Sequence, residues 1–235
     1  VKMAVAETAA RADHTADLVR LRTQISQMQR RTAQVDALPV ADALAPLFPE
    51  GGLRPGAAYV LPDSAALVFA LLGAASREGS WAAVIGMPDL SAEAAEGYGV
   101  VPARLALIPD PGERWLQAVS SAAEVFPLVA VRAPRAATPA ETARAAARLR
   151  DRGSALLVVG DWHGADATLT LSAPEWSGLE RGHGLLASRA VTLTASARRA
   201  PRPRTARVLL PGPTGGVERL TPPTTARGHL RAVAS

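Results

Sequence analysis

Between residues 56 and 159 the chain alternates short unbroken apolar runs with segments of helical periodicity. The runs fall at 56–61, 81–85, 104–108, 128–132 and 155–159, and helices are predicted between them at 64–76, 91–98, 113–125 and 139–151. Their start signals are local. Asp63 or Ser64 caps the first helix and Ser91 the second, and Thr138-Pro139-Ala140-Glu141 is a capping box with proline at the first helical position. Gly153 ends the last of these helices. Unbroken apolar strands separated by helices predict a parallel sheet buried on both faces. After Gly160 the rhythm changes. Residues 166–172, 189–196, 206–210 and 217–220 alternate apolar and polar side chains with no helix between them, which predicts antiparallel strands. The expected fold is therefore α/β: a mostly parallel sheet with helices on both faces and an antiparallel finish.

Two further segments flank that pattern. Residues 13–36 predict an amphipathic helix, with Leu18, Leu21, Ile25, Met28 and Val35 at a/d-like spacing among Arg and Gln. About two turns of strong apolar residues do not hold a lone coiled coil, so this helix needs a surface, either its own domain or another chain. Leu18, Leu21, Ile25 and Met28 are the candidate partner-binding residues. The organisation expected is an extension over 1–37, a core over 38–220, and a Pro-, Thr- and Arg-rich tail over 221–235 with the composition of disorder.

Composition then narrows the chemistry. There is no Cys, which excludes disulfides, thiolate nucleophiles and sulfur-ligated zinc. No apolar run reaches the length of a membrane span, and the first residues lack a leader-like layout, so a soluble cytoplasmic protein is expected. Lys2 is the only lysine, and the arginines are unevenly spread. From Arg189 onward nine Arg face one acid, Glu218, so this end carries +8 while the first 188 residues carry −3. A basic end on a near-neutral body points to nucleic acid or an acidic protein face. Its densest part holds Arg198, Arg199, Arg202, Arg204 and Arg207, with Pro201 and Pro203 between them. Such a stretch is an exposed loop. It is either simply solvated, or it contacts phosphates or an acidic partner.

The lead-in Gly51-Gly52-Leu53-Arg54-Pro55-Gly56, the strand after it, four further parallel strands and the antiparallel end resemble the RecA core. Four stretches are more particular: residues 79–90 (GSWAAVIGMPDL), 104–109 (RLALIP), 176–179 (WSGL) and 181–184 (RGHG). As an ordered set they resemble the actinobacterial ImuA-prime family, RecA-like accessory proteins of the SOS mutagenic polymerase system. That resemblance spans roughly residues 38–212. It implies a protein partner rather than a reaction: an ImuB-like inactive polymerase homologue, and through it an error-prone C-family polymerase and the sliding clamp. The inhibitor of cell division SulA, also RecA-like without a phosphate loop, is a second family of this kind.

The residues speak against nucleotide chemistry. A phosphate loop of type G-x-x-x-x-G-K-[ST] needs glycines that bring backbone N–H groups to the phosphates, a lysine, and a hydroxyl for magnesium. Here the first strand runs into Leu61-Pro62-Asp63-Ser64, with no glycine between Gly56 and Gly73. Pro62 lacks an N–H, and Asp63 would repel an anion at the helix N-terminus. Arg132 occupies the strand end where a magnesium-orienting acid is expected. Asp89 and Asp161 follow other strands and read as turn or cap groups. No catalytic residue, cofactor or metal is therefore expected. Asp161, His163, Asp166 and His183 lack metal-ligand spacing, and no G-x-S-x-G elbow is present. Trp162 reads as a buried residue, and Trp81, Trp115 and Trp176 read as structural.

Overall fold

The computed structural model describes residues 37–178, 186–198, 200 and 202–220. The predicted helix over 13–36 and the tail over 221–235 lie outside the described residues, as does Arg199.

The chain first forms a small antiparallel pair, β1 (Leu38–Pro39) with β2 (Gly52–Leu53), joined through a 3-10 turn at Ala45–Leu47. Strand β3 (Ala58–Leu61) then leads into α1 (Ala65–Arg77), β4 (Ala82–Ile85), α2 (Ala92–Gly97) and β5 (Leu105–Ile108). Next come α3 (Trp115–Val125), β6 (Leu128–Arg132), α4 (Pro139–Arg152) and β7 (Ala155–Val159). The chain finishes with β8 (Ala167–Ser177), β9 (Ser188–Ala197), β10 (Arg204–Leu209) and β11 (Glu218–Arg219). Nine strands form one sheet in the order β11-β10-β9-β8-β3-β7-β6-β4-β5. All pairs from β8 to β5 are parallel, and β8 through β11 pair antiparallel. This is the mostly parallel α/β sheet with an antiparallel end that the apolar pattern predicts.

The unbroken apolar strands are apolar because each feeds two cores. Tyr59, Leu61, Val84, Leu128, Ala130 and Leu157 point to one side, under α1 and the 40–53 segment. Ala58, Ile85, Val129, Val131, Leu156 and Val158 point to the other, under α3 and α4. α1 is itself buried over Leu67–Ser76, as a helix apolar on all sides should be. At Gly73 the Tyr98 carbonyl oxygen comes so close that a Cβ would stand 2.0 Å from it. In the antiparallel half only the first core continues. Leu169, Val191, Leu193, Ala195 and Val208 face it, and the threonines between them are not buried. One-sided burial is what produced the alternation in this part of the sequence.

Three details differ from expectation. β8 runs five residues further than predicted, to Ser177, past an irregularity at 172–175 where Ala173 adopts φ +48° beside Pro174. It also starts parallel to β3, through Tyr59↔Ala167 and Val60↔Thr168, before pairing antiparallel with β9. Trp81 and Trp176 are not core residues, being 49% and 52% exposed, whereas Trp115 and Trp162 are buried edge to face. Trp81 stands at the end of its strand, and Trp176 in the part of β8 that has outrun β3, so neither has a layer above it.

Candidate functional site

In open α/β sheets the crevice beyond the carboxyl ends of the strands is where ligands are held. Here residues 62–64 make a tight link from β3 to α1. Ser64 caps the helix, its Oγ accepting from the Leu67 N–H at 3.3 Å. Beside this link lies an open groove of about 470 Å³ lined by Leu61, Pro62, Asp63, Arg132, Asp161 and Thr170 among others.

Arg132, the last residue of β6, spans the crevice. Its Nη2 donates to Asp63 at 2.9 Å and its Nη1 to Asp89 at 2.8 Å. Asp63 lies in the link after β3, and Asp89 in the loop after β4. One guanidinium therefore ties together the loops that follow two strands on either side of its own. Asp89 lies in a turn, as its position implied, and is in addition an ion-pair partner. The Arg132 hydrogen bond holds the Asp89 carboxyl below its ordinary range, and that same bond raises the arginine further. Gly86 lets the loop after β4 pass close to β6: its φ is +72°, and a Cβ there would stand 2.7 Å from the Arg132 carbonyl oxygen. The place where a phosphate-binding loop would present N–H groups and a cation thus holds a carboxylate, and the strand end that would supply an acid holds the cation.

The other acids in the crevice's sequence neighbourhood are placed differently. Asp161 is exposed just past β7. Asp166 lies at the opposite end of the sheet, paired with Arg54, and its Oδ2 accepts from the Ala58 N–H at 3.1 Å. Beside that pair the buried Tyr59 phenol accepts from the Arg54 N–H at 2.8 Å, and burial pushes its pKa up to about 12. Among the described residues no group of three or more His, Asp or Glu is arranged to hold a metal ion.

The arginine-rich stretch also divides. Arg198 and Arg202 are exposed in the turn between β9 and β10. Arg204 opens β10, and its Nη1 reaches the carbonyls of Pro46 and Phe48 at 3.4 and 3.5 Å. Arg207 pairs with Glu175 at 2.7 Å. Because β9 ends opposite the start of β8, the turn sits at the N-terminal end of the parallel strands, the far end from the Arg132 crevice. Leu18, Leu21, Ile25 and Met28 lie outside the described residues.

Sequence reading missed the Arg132–Asp89 link because it depends on β4 and β6 being neighbours, with Ile85 opposite Val131. Nothing local to either residue carries that information; only the strand order does.

A stretch of 127 residues is 34% identical to an uncharacterised protein of Mycobacterium tuberculosis, Rv3395c, covering 52% of this chain and 62% of that one. The chain thus matches less than two thirds of that relative's length. The description of the MT3502 N-terminal domain fits residues 46–164, which run from the 3-10 turn after β1 through the link into β8 and include Asp63, Asp89 and Arg132. With half of its length in that match, the chain belongs to the MT3502 N-terminal domain family.

Proposed function

We propose that this protein is a non-catalytic adaptor in DNA-damage-induced translesion synthesis, an ImuA-prime-like cytoplasmic protein that binds an ImuB-like inactive polymerase homologue. The observation that carries this reading is the Arg132 fork. A crevice whose cation is already shared between two carboxylates of the same chain offers a phosphate no free charge, and an anion would meet Asp63 first. A RecA-type sheet whose crevice stays open but has its cation already engaged in this way is suited to present its surface to partners. The resemblance of residues 79–90 and 104–109 to ImuA-prime proteins supplies the partner, and the similarity to a mycobacterial protein is consistent with it. Through the ImuB-like protein the adaptor would meet an error-prone C-family polymerase and the sliding clamp.

The test is co-purification of the full chain with the ImuB-like protein, alongside measurement of ATP turnover. Stable association with turnover at background is expected, and replacing Leu18, Leu21, Ile25 and Met28 by Ser should weaken the association. Turnover above background, or no association, overturns the reading. Association untouched by the four-residue variant moves the contact away from residues 13–36.

A further inference from the structure

The end of the sheet opposite the crevice gathers features that are scattered in sequence. Arg198 follows β9, and its backbone N–H donates to the Asp166 carbonyl at 2.8 Å; Asp166 in turn pairs with Arg54. Two residues on, Gly56 donates to Ser154 O at 3.0 Å, and the last turn of α4 presses on it: a Cβ at Gly56 would stand 3.0 Å from the Arg150 Cα. Arg150 and Arg152 are exposed there. Beyond them Ala155 N–H donates to Pro127 O at 2.8 Å, and the neighbouring Phe126 packs on Trp81, with ring centroids 6.4 Å apart and planes inclined by 31°. The path follows the starts of β8, β3, β7, β6 and β4 in that order. At the ordinary strand spacing it is about 19 Å long.

The path keeps to one side of the sheet. Ala165 and Trp162, in the link that brings the chain back to β8, pack on the core under α3 and α4. Arg198 reaches over that link, its Nη1 3.9 Å from where a Cβ on Gly164 would lie. Arg150 and Arg152 belong to α4, and Phe126 packs on the same core. Two acids near the path are already neutralised, Asp166 by Arg54 and Glu124 by Arg148 at 2.9 Å. Asp151, Glu78 and Glu50 are the exposed acids nearby. An exposed indole braced from behind by a phenyl ring, in line with two pairs of exposed guanidinium groups, has the make-up of a platform for single-stranded nucleic acid.

We propose that this rim binds single-stranded nucleic acid across the strand ends, with phosphates on Arg198, Arg202, Arg150 and Arg152 and a base stacked on Trp81. Arg supplies charge and planar hydrogen bonding to phosphate, and the indole stacks on any base. Nothing on the path is built to read base edges. The chain contains no Asn, and no Gln lies on this route to read adenine; with the arginines on phosphates and the indole on a base face, the proposed binding is independent of sequence. This inference does not rest on the adaptor reading, since it uses the end of the sheet opposite the Arg132 crevice.

Fluorescence anisotropy of a labelled oligo(dT) with the full chain, over a range of salt concentrations, tests it. Each double variant, R150A/R152A and R198A/R202A, should reduce the slope of log K against log salt by about 1.4, at about 0.7 per phosphate contact on a single strand. Trp81→Ala should weaken binding roughly 5- to 150-fold and leave that slope unchanged. Arg114→Ala, at the other end of the sheet, should do neither. The arginines are exposed, so circular dichroism and melting temperature of their variants should match the parent protein, and Trp81→Ala, which loses its packing on Phe126, should keep the parent's circular dichroism. Absence of binding overturns the proposal. So does loss confined to R198A/R202A, which would make the turn alone the contact. Equal binding of poly-Glu that ignores Trp81→Ala would assign the rim to an acidic protein instead.

Discussion

Arg132 is 29% exposed and its two carboxylate partners are 73% and 65% exposed, so the fork lies at the surface and its energy is screened by water. Its effect is better read in protonation than in overall stability. The folded-state pKa of Asp89 is lowered by Arg132, so the contribution is complete above the carboxyl's ordinary value near 3.8 and fades as pH falls through the lower folded value. In Arg132→Ala, NMR titration should show the Asp89 carboxyl returning upward toward that ordinary value. An unchanged titration would mean that the fork does not persist in solution. The guanidinium Nε is buried with no partner among the described residues, a cost of the kind met when a side chain is held for its tips rather than its stem.

Among the elements, α4 shows how far local signals reach. Thr138 Oγ1 accepts from the Glu141 N–H at 3.3 Å, and the Glu141 carboxylate accepts from the Thr138 N–H at 2.8 Å and from Arg135 at 2.8 Å. Those partners, Arg135 first, bring the Glu141 pKa down to about 2 from an ordinary 4.5. The cap is therefore at full strength above about pH 4.5 and is lost as pH falls toward about 2. Thr138→Ala should cost about 1 kcal/mol in urea unfolding. Amide exchange in the first turn of α4 should quicken over the same acid range. The capping box, the Gly153 stop and the bounds of β6 and β7 were legible in the sequence because they are fixed by neighbours in the chain. Strand order was not, since β3 sits between β8 and β7 for reasons of packing that no window of residues contains. The same blindness hid both the fork and the rim. Arg150 and Arg152 join the rim only once Gly56 is placed beside their helix, and Trp81, read as structural, joins it because it stands exposed just before β4.

At the scale of the whole molecule, β7 lies where the two cores share a wall: Leu157 is fully buried in one and Leu156 in the other. Leu157→Ala should cost about 2–5 kcal/mol in denaturant unfolding, a sizeable share of the roughly 5–15 kcal/mol typical of a domain. A smaller loss would mean that α1 settles into the space. The sheet also separates its charges by end, with Asp63, Asp89, Asp110 and Asp161 after the strands and Arg54, Arg150, Arg152 and Arg198 before them. Each end also carries the opposite sign, Arg132 among those acids and Asp166 beside Arg54, so the proposed rim depends on surface arginines unpaired among the described residues rather than on the net sign of one end. The fork at the acidic end has a consequence for descent. If Arg132 becomes an acid, three carboxylates are crowded together, and if Asp63 or Asp89 becomes a lysine, two cations face each other. Each such single step leaves like charges side by side, although at these exposures water screens most of the cost.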